Sequence, residues 1–193
     1  KTPRDLEFNP EVPWELWVVN QASPGDERMV VYKNAGTNEQ SSMMYSGGGV
    51  EHFFAQPSAL AFGAPNEFAT IHETNVETQV YDPNLPDVVI DPVFMGPVLQ
   101  TTDRTFYDGG GRGHLDMLHN TPLGMGIAWE KNRVYWIFDG FHSSITRYNF
   151  NTDHGPAGTD HVDGNVARYI EDEVKRSADV PSHMEFDPET DLL

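Results

Sequence analysis

The chain has no cysteine, which removes disulfides, thiolate zinc sites and cysteine nucleophiles from consideration at once. Basic residues are scarce: 12 Lys and Arg stand against 30 Asp and Glu, for a formal net charge of −18. Phosphate contacts require cations, so this balance argues against nucleic acid as a partner and favours solubility and attraction for metal ions. No apolar run approaches the ~18 residues of a membrane helix, so membrane insertion is not expected. No leader-like segment is visible at Lys1. Helical periodicity is nearly absent; its one candidate is a short turn over Glu171–Ser177, where acids precede basic residues. The lack of cysteine, the acidity and the 14 prolines together lean towards an exported protein.

What is present suits one domain with a real core: 193 residues, 38% hydrophobic and 11% aromatic. Three stretches repeat one another: Pro57-Ser58-Ala59-Leu60-Ala61-Phe62-Gly63, Gly124-Met125-Gly126-Ile127-Ala128-Trp129-Glu130 and Pro181-Ser182-His183-Met184-Glu185-Phe186-Asp187. Matching Ala59 to Gly126 to His183 gives periods of 67 and 57 residues. A second strand-like run follows the first two copies, Glu67–Glu73 and Arg133–Asp139. Self-similarity at this period, built from short strands, predicts a radial β array. The aromatics Phe62, Trp129 and Phe186 fall at one equivalent position and are expected in the core.

Apolar residues elsewhere alternate or bunch in short runs bounded by Gly, Pro, Asn and Asp, as strands demand. Glu15–Asn20 and Arg28–Lys33 flank a Ser23-Pro24-Gly25-Asp26 turn and read as a hairpin; Arg133–Asp139 and Ser144–Phe150 read as a second. The expected architecture is all-β, an incomplete propeller forming a single domain. Its partial blades lie at about residues 15–33, 57–98, 123–171 and 182–193, with long loop insertions at 82–120 and 151–165. A closed propeller takes roughly four to eight blades of four strands, so a protein partner or a missing C-terminal half is expected to complete the array.

The densest chemical signal is His114-Leu115-Asp116-Met117-Leu118-His119. His52 and His119 each stand seven residues before equivalent positions, Ala59 and Gly126, so His52, His114 and His119 are candidate metal ligands meeting near the axis. Imidazoles bind zinc, copper, iron and nickel, and the neighbouring Met117 and Met125 bias such a site towards copper. Asp116 is placed to orient an imidazole through its second ring nitrogen. His183 should face the axis and is the reserve ligand, with His72 and His142 nearer the outer part of the blades. The Asp153–Gly164 loop, with acids and histidines at irregular spacing, is a candidate for calcium, although a solvated loop is the blander reading. The glycines at 109–111 lack the context of a phosphate loop, and no Gly-x-Ser-x-Gly elbow is present.

Gly126-Ile127-Ala128 followed by Val134-Tyr135-Trp136-Ile137-Phe138-Asp139 resembles the blade of NHL-type β-propellers. His52-Phe53-Phe54, Pro57–Gly63, Phe94-Met95-Gly96-Pro97, His114–His119 and Ser182-His183-Met184 resemble, over residues 50–187, the methanotroph surface copper-binding proteins of the MopE/CorA type. That resemblance implies an exported protein binding one copper ion through two histidines, a water and a tryptophan oxidised to kynurenine. It makes His52 and one of His114 or His119 the ligands. The family's tryptophan stands two residues before a histidine; Val50 holds that place before His52, and no histidine here has Trp at that spacing.

Three functions follow from these readings. The first is an exported or cell-surface metal-binding protein, most simply for copper acquisition or storage, without turnover. The second is a lyase or hydrolase with zinc bound by histidine on the propeller axis, as in an NHL-type lyase, using Asp116 or Glu73 as base. The third is an interaction module without metal.

Overall fold

The computed structural model describes residues 2–21, 28–45, 54, 56–74, 79–80, 89–90, 95–107, 113–156, 163–177, 180 and 182–193. The chain is all-β. The first sheet is a meander of β1 (Thr2–Phe8), β2 (Glu15–Gln21), β3 (Arg28–Lys33) and β4 (Ser41–Tyr45). The second runs β5 (Pro57–Phe62), β6 (Glu67–His72), β9 (Val98–Thr101) and β10 (His114–Met117), with a small hairpin, β7 (Gln79–Val80) and β8 (Val89–Ile90), inserted between β6 and β9. The third is β11 (Gly124–Lys131), β12 (Val134–Asp139), β13 (Ser144–Asn149) and β14 (Asn165–Tyr169). All pairings in the three sheets are antiparallel. No closed barrel or ring forms among the described residues.

Both expected hairpins form, as β2–β3 and β12–β13. The Ser23–Asp26 turn lies outside the described residues. Asparagine makes several of the strand ends: Asn34, Asn66, Asn132 and Asn151 have φ of 49°, 65°, 50° and 57°. Its short amide tolerates the left-handed region that most side chains avoid.

Four expectations need correction. The first sheet has four strands rather than two, because β1 and β4 carry charged and polar residues that hide their alternation. The second continues to Met117, beyond residue 98. Glu171–Ser177 is a series of turns, since Ile170 and Asp172 take φ of 46° and 63°, which no right-handed helix accommodates. Residues 182–186 run without a strand partner, and only an isolated Asp187–Leu192 bridge follows.

The middle sheet is buried on both faces, and every described residue of its four main strands is covered. With a side-chain period of two, Ala59, Ala61, Ala69 and Ile71 face the third sheet against Tyr135, Tyr148 and Phe150. Leu60, Phe62 and Phe68 face the first sheet against Trp17, Met29 and Val31. Small alanines opposite bulky tyrosines let the sheets interdigitate. Gly63 extends the pattern: a Cβ there would lie 2.0 Å from the Tyr135 hydroxyl oxygen. Phe62 is core as expected, but Trp129 is 38% exposed.

The sheets meet through their first strands, β1 beside β5 and β5 beside β11, each an edge of its own sheet. Backbone pairing does not join these first strands, the Glu73–Leu123 bridge lying past β6 and ahead of β11, so side chains supply the acceptors. Asp5 Oδ2 accepts the Leu60 amide at 2.9 Å, Glu7 Oε2 the Phe62 amide at 3.0 Å, and Glu11 Oε2 the Asn66 amide at 2.8 Å. Each acid stands 55 residues before the amide it serves. This ladder of carboxylates satisfies an edge that would otherwise leave donors unpaired.

Glu73, just past β6, gathers partners from the first sheet and from the segment that follows the third. Arg4 from β1 donates to Oε2 at 2.6 Å, Gln21 from β2 at 3.2 Å, and Arg176 beyond β14 donates to Oε1. At the opposite end of β6, Arg133 holds Glu67 through Nε at 2.9 and 3.0 Å and reaches Asp153 at 2.6 Å. Substituting Glu73→Gln leaves two guanidinium groups without their carboxylate. We expect a loss of about 3 kcal/mol of unfolding free energy, read from urea denaturation.

Glu130 supplies the acid limit. Hydrogen bonding from Arg147, aided by Lys131, holds its carboxyl down at about 2. Because the folded value lies below the unfolded one, this contribution is full above the ordinary glutamate range and is lost as pH falls towards 2. Unfolding followed from pH 5 to pH 2 should show a shallower loss of stability in Glu130→Gln than in the parent.

Candidate metal centre

One group of three potential ligands stands out among the described residues: Asp116, His154 and Asp163, with one donor atom from each lying within 4.8 Å of the others. They come from two elements. Asp116 sits on β10, where a register shift between His114 and Asp116 interrupts the pairing with β9. His154 and Asp163 come from the connection between β13 and β14.

The local sequence explains how the connection is held. Asn151 turns the chain out of β13, and the His154 amide then donates to the Leu115 carbonyl at 3.1 Å, fixing the loop onto β10. Asp153 caps the Gly155 amide at 3.1 Å while gripped by Arg133. On the return, Asn151 Nδ2 donates to the Asp163 carbonyl and Thr152 Oγ1 donates to Asp163 Oδ2 at 2.9 Å. Gly164 lies so close to Leu118 that a Cβ would come within 2.3 Å of its methyl carbons. Any side chain there would oblige Leu118 to move.

In the site itself, His154 Nε2 is 3.0 Å from Asp163 Oδ1 and 3.8 Å from Asp116 Oδ2. A tetrahedral ion with bonds of about 2.1 Å separates its ligand atoms by roughly 3.4 Å, a value these two distances bracket. Asp116 is fully buried, and its Oδ1 accepts the Met117 amide at 2.7 Å. The His154 and Asp163 side chains are 19% and 35% exposed, which leaves an approach from solvent. The His154 ring, with help from Thr152, holds the Asp163 carboxyl below the ordinary aspartate range. That carboxylate is ionised and ready to bind a cation. One imidazole and two carboxylates suit a borderline dication better than Cu(I), which prefers thioether and thiolate.

The sequence-predicted histidines sit on several elements. His52 lies outside the described residues, so its convergence with His114 and His119 lies outside them too. His114 is buried on β10 opposite Gln100. His119 is half-buried in the connection to β11, where its carbonyl accepts the Tyr148 hydroxyl at 2.8 Å. His72 is buried beside Thr70, its Nε2 3.1 Å from the hydroxyl oxygen. His142 pairs with buried Asp139 through Nδ1 at 2.8 Å, and His183 faces Asp5 at 3.4 Å.

Asp116, expected to orient a neighbouring imidazole, lies beside His154, which belongs to the loop read as either a calcium candidate or a solvated connection. The signal that could have found this pair was the loop itself, which carries several acids and histidines close together in sequence. What remained hidden was that the loop folds back onto β10. Comparison with known proteins adds no relative: no family model, curated protein or solved structure matches this chain.

Proposed function

We propose that this is a metal-binding protein that holds one divalent ion between Asp116, His154 and Asp163. The observation that carries the reading is the approach of a buried carboxylate, an imidazole and an ionised carboxylate to within 4.8 Å of one another. Copper as Cu(II) is the leading ion, because nitrogen and oxygen donors bind it most tightly of the first-row dications; zinc is the alternative. The site binds rather than turns over. Glu73, the outlying candidate base, is committed to Arg4 and Arg176. The lack of cysteine and the acidity support an exported or cell-surface location, where such a protein would acquire or store its ion. The finer architecture belongs to the same proposal: three meanders whose first strands lie side by side are the blades of a partial NHL-like propeller.

The test is metal analysis of protein purified without a histidine tag, joined to calorimetric titration with Cu(II) and Zn(II). We expect one ion per chain, and at least about tenfold weaker binding in His154→Ala and in Asp163→Asn. Binding should weaken as acid protonates the imidazole, since the ion and the proton compete for one nitrogen. His114→Ala and His119→Ala should retain the ion. Loss of metal in those two variants with retention in His154→Ala would move the site to the expected three-histidine arrangement.

A further inference from the structure

A cavity of about 180 Å³ opens where the first strands of the three sheets come together. Its walls include Asp5 and Glu7 from β1, Leu60 and Phe62 from β5, and Trp129 from β11. The fourth wall is the segment 182–186, which crosses from β11 towards β1. The segment packs closely on β11, with the Ser182 carbonyl oxygen 3.1 Å and Met184 Cγ 3.2 Å from where a Cβ on Gly126 would stand. Yet no backbone hydrogen bond joins it to β11 among the described residues. Its polar tie to β1 is the approach of His183 Nδ1 to Asp5 Oδ1 at 3.4 Å. On its other side Met184 faces a groove formed with Trp136, Ile145 and Tyr169.

We propose that residues 182–186 are a pH-sensitive strap over this cavity, seated when Glu7 is protonated and lifted when Glu7 is charged. Glu7 faces the cavity from β1 and gives one oxygen to the Phe62 amide of β5. The charges acting on it come from the strap, as Glu185, and from its own strand, as Asp5. Tyr135 on β12 is electrostatically linked to it as well, and His183 bears on Asp5. Seating the strap therefore sets Glu185 near Glu7 at the cavity. Ionised Glu7 is relieved when the strap moves and water enters.

Burial, with a smaller push from Glu185 and Asp5, raises the Glu7 carboxyl to about 7, against the pull of the Phe62 amide. Burial raises Asp5 in the same direction. A carboxyl raised in the closed state binds its proton more tightly there than in the open state. Closure is thus favoured at low pH and lost as pH rises through about 7.

The experiment is limited chymotryptic cleavage after Phe186 in the strap between about pH 6 and pH 8, expressed as protection relative to a free peptide of the same sequence so that the protease's own pH dependence cancels. Protection in the parent should fall with pH, at most about tenfold per unit for one linked proton. Glu7→Gln, whose amide oxygen still accepts from Phe62, should keep the strap protected throughout. Glu185→Gln, changed on the exposed strap, should show a reduced fall and guards against misfolding of the first variant. Parent protection that does not change with pH overturns the proposal. So does a full parental fall in Glu7→Gln, or, if that variant does not fold, in Glu185→Gln.

Discussion

The fold depends on edge strands that meet without backbone pairing. The first strand of each sheet has one side committed to its own meander and the other turned towards a neighbouring sheet. Amides on that side need acceptors, and Asp5, Glu7 and Glu11 provide them from a single stretch of β1 and the turn after it. A carboxylate reaches further than a carbonyl and accepts without donating, so it can bridge two sheets whose strands are not in ladder register. The arrangement gives part of the chain's acidity a structural purpose. It also buries two carboxyls around one cavity, and that burial raises both Asp5 and Glu7.

Arginine balances this acidity where the sheets are clamped. Arg4 and Arg176 converge on Glu73, Arg133 links Glu67 to Asp153, and Arg104 meets Glu15, while Arg147 meets Glu130 within the third sheet. Few cations are present, and many are placed at such junctions. The Arg133 clamp also bears on the candidate metal centre, because it fixes Asp153 immediately before His154. Core packing, ion pairing and site geometry are therefore coupled: interdigitation of the middle and third sheets brings β10 beside the β13–β14 connection, and the clamp sets the entry of that connection.

The hairpins β2–β3, β5–β6 and β12–β13 were legible because their apolar residues run between plain turn residues. Both β1 and β4 were not, since Thr2–Phe8 alternates acids with apolar residues for the sake of a neighbouring sheet rather than of solvent. The turns after β14 imitated a helix because acids precede bases there, a pattern that serves ion pairing equally well. Among site residues, Asp116 was legible as an orienting carboxylate. His154 and Asp163 were not recognisable as its partners, because the segment between Asp116 and His154 includes three strands, β11 to β13, and nothing local records that its far end returns.

The sequence by itself determined the all-β class, the hairpin pairings, the long-period repeat and the exclusion of thiol chemistry. These follow from period-two alternation, turn chemistry and composition, which act over a few residues or over the whole chain at once. Tertiary structure alone decided which acids serve as edge acceptors, which histidine meets two carboxylates, and where residues 182–186 lie. Those outcomes depend on contacts between residues tens of positions apart, set by how three sheets interdigitate, and no local pattern encodes that distance.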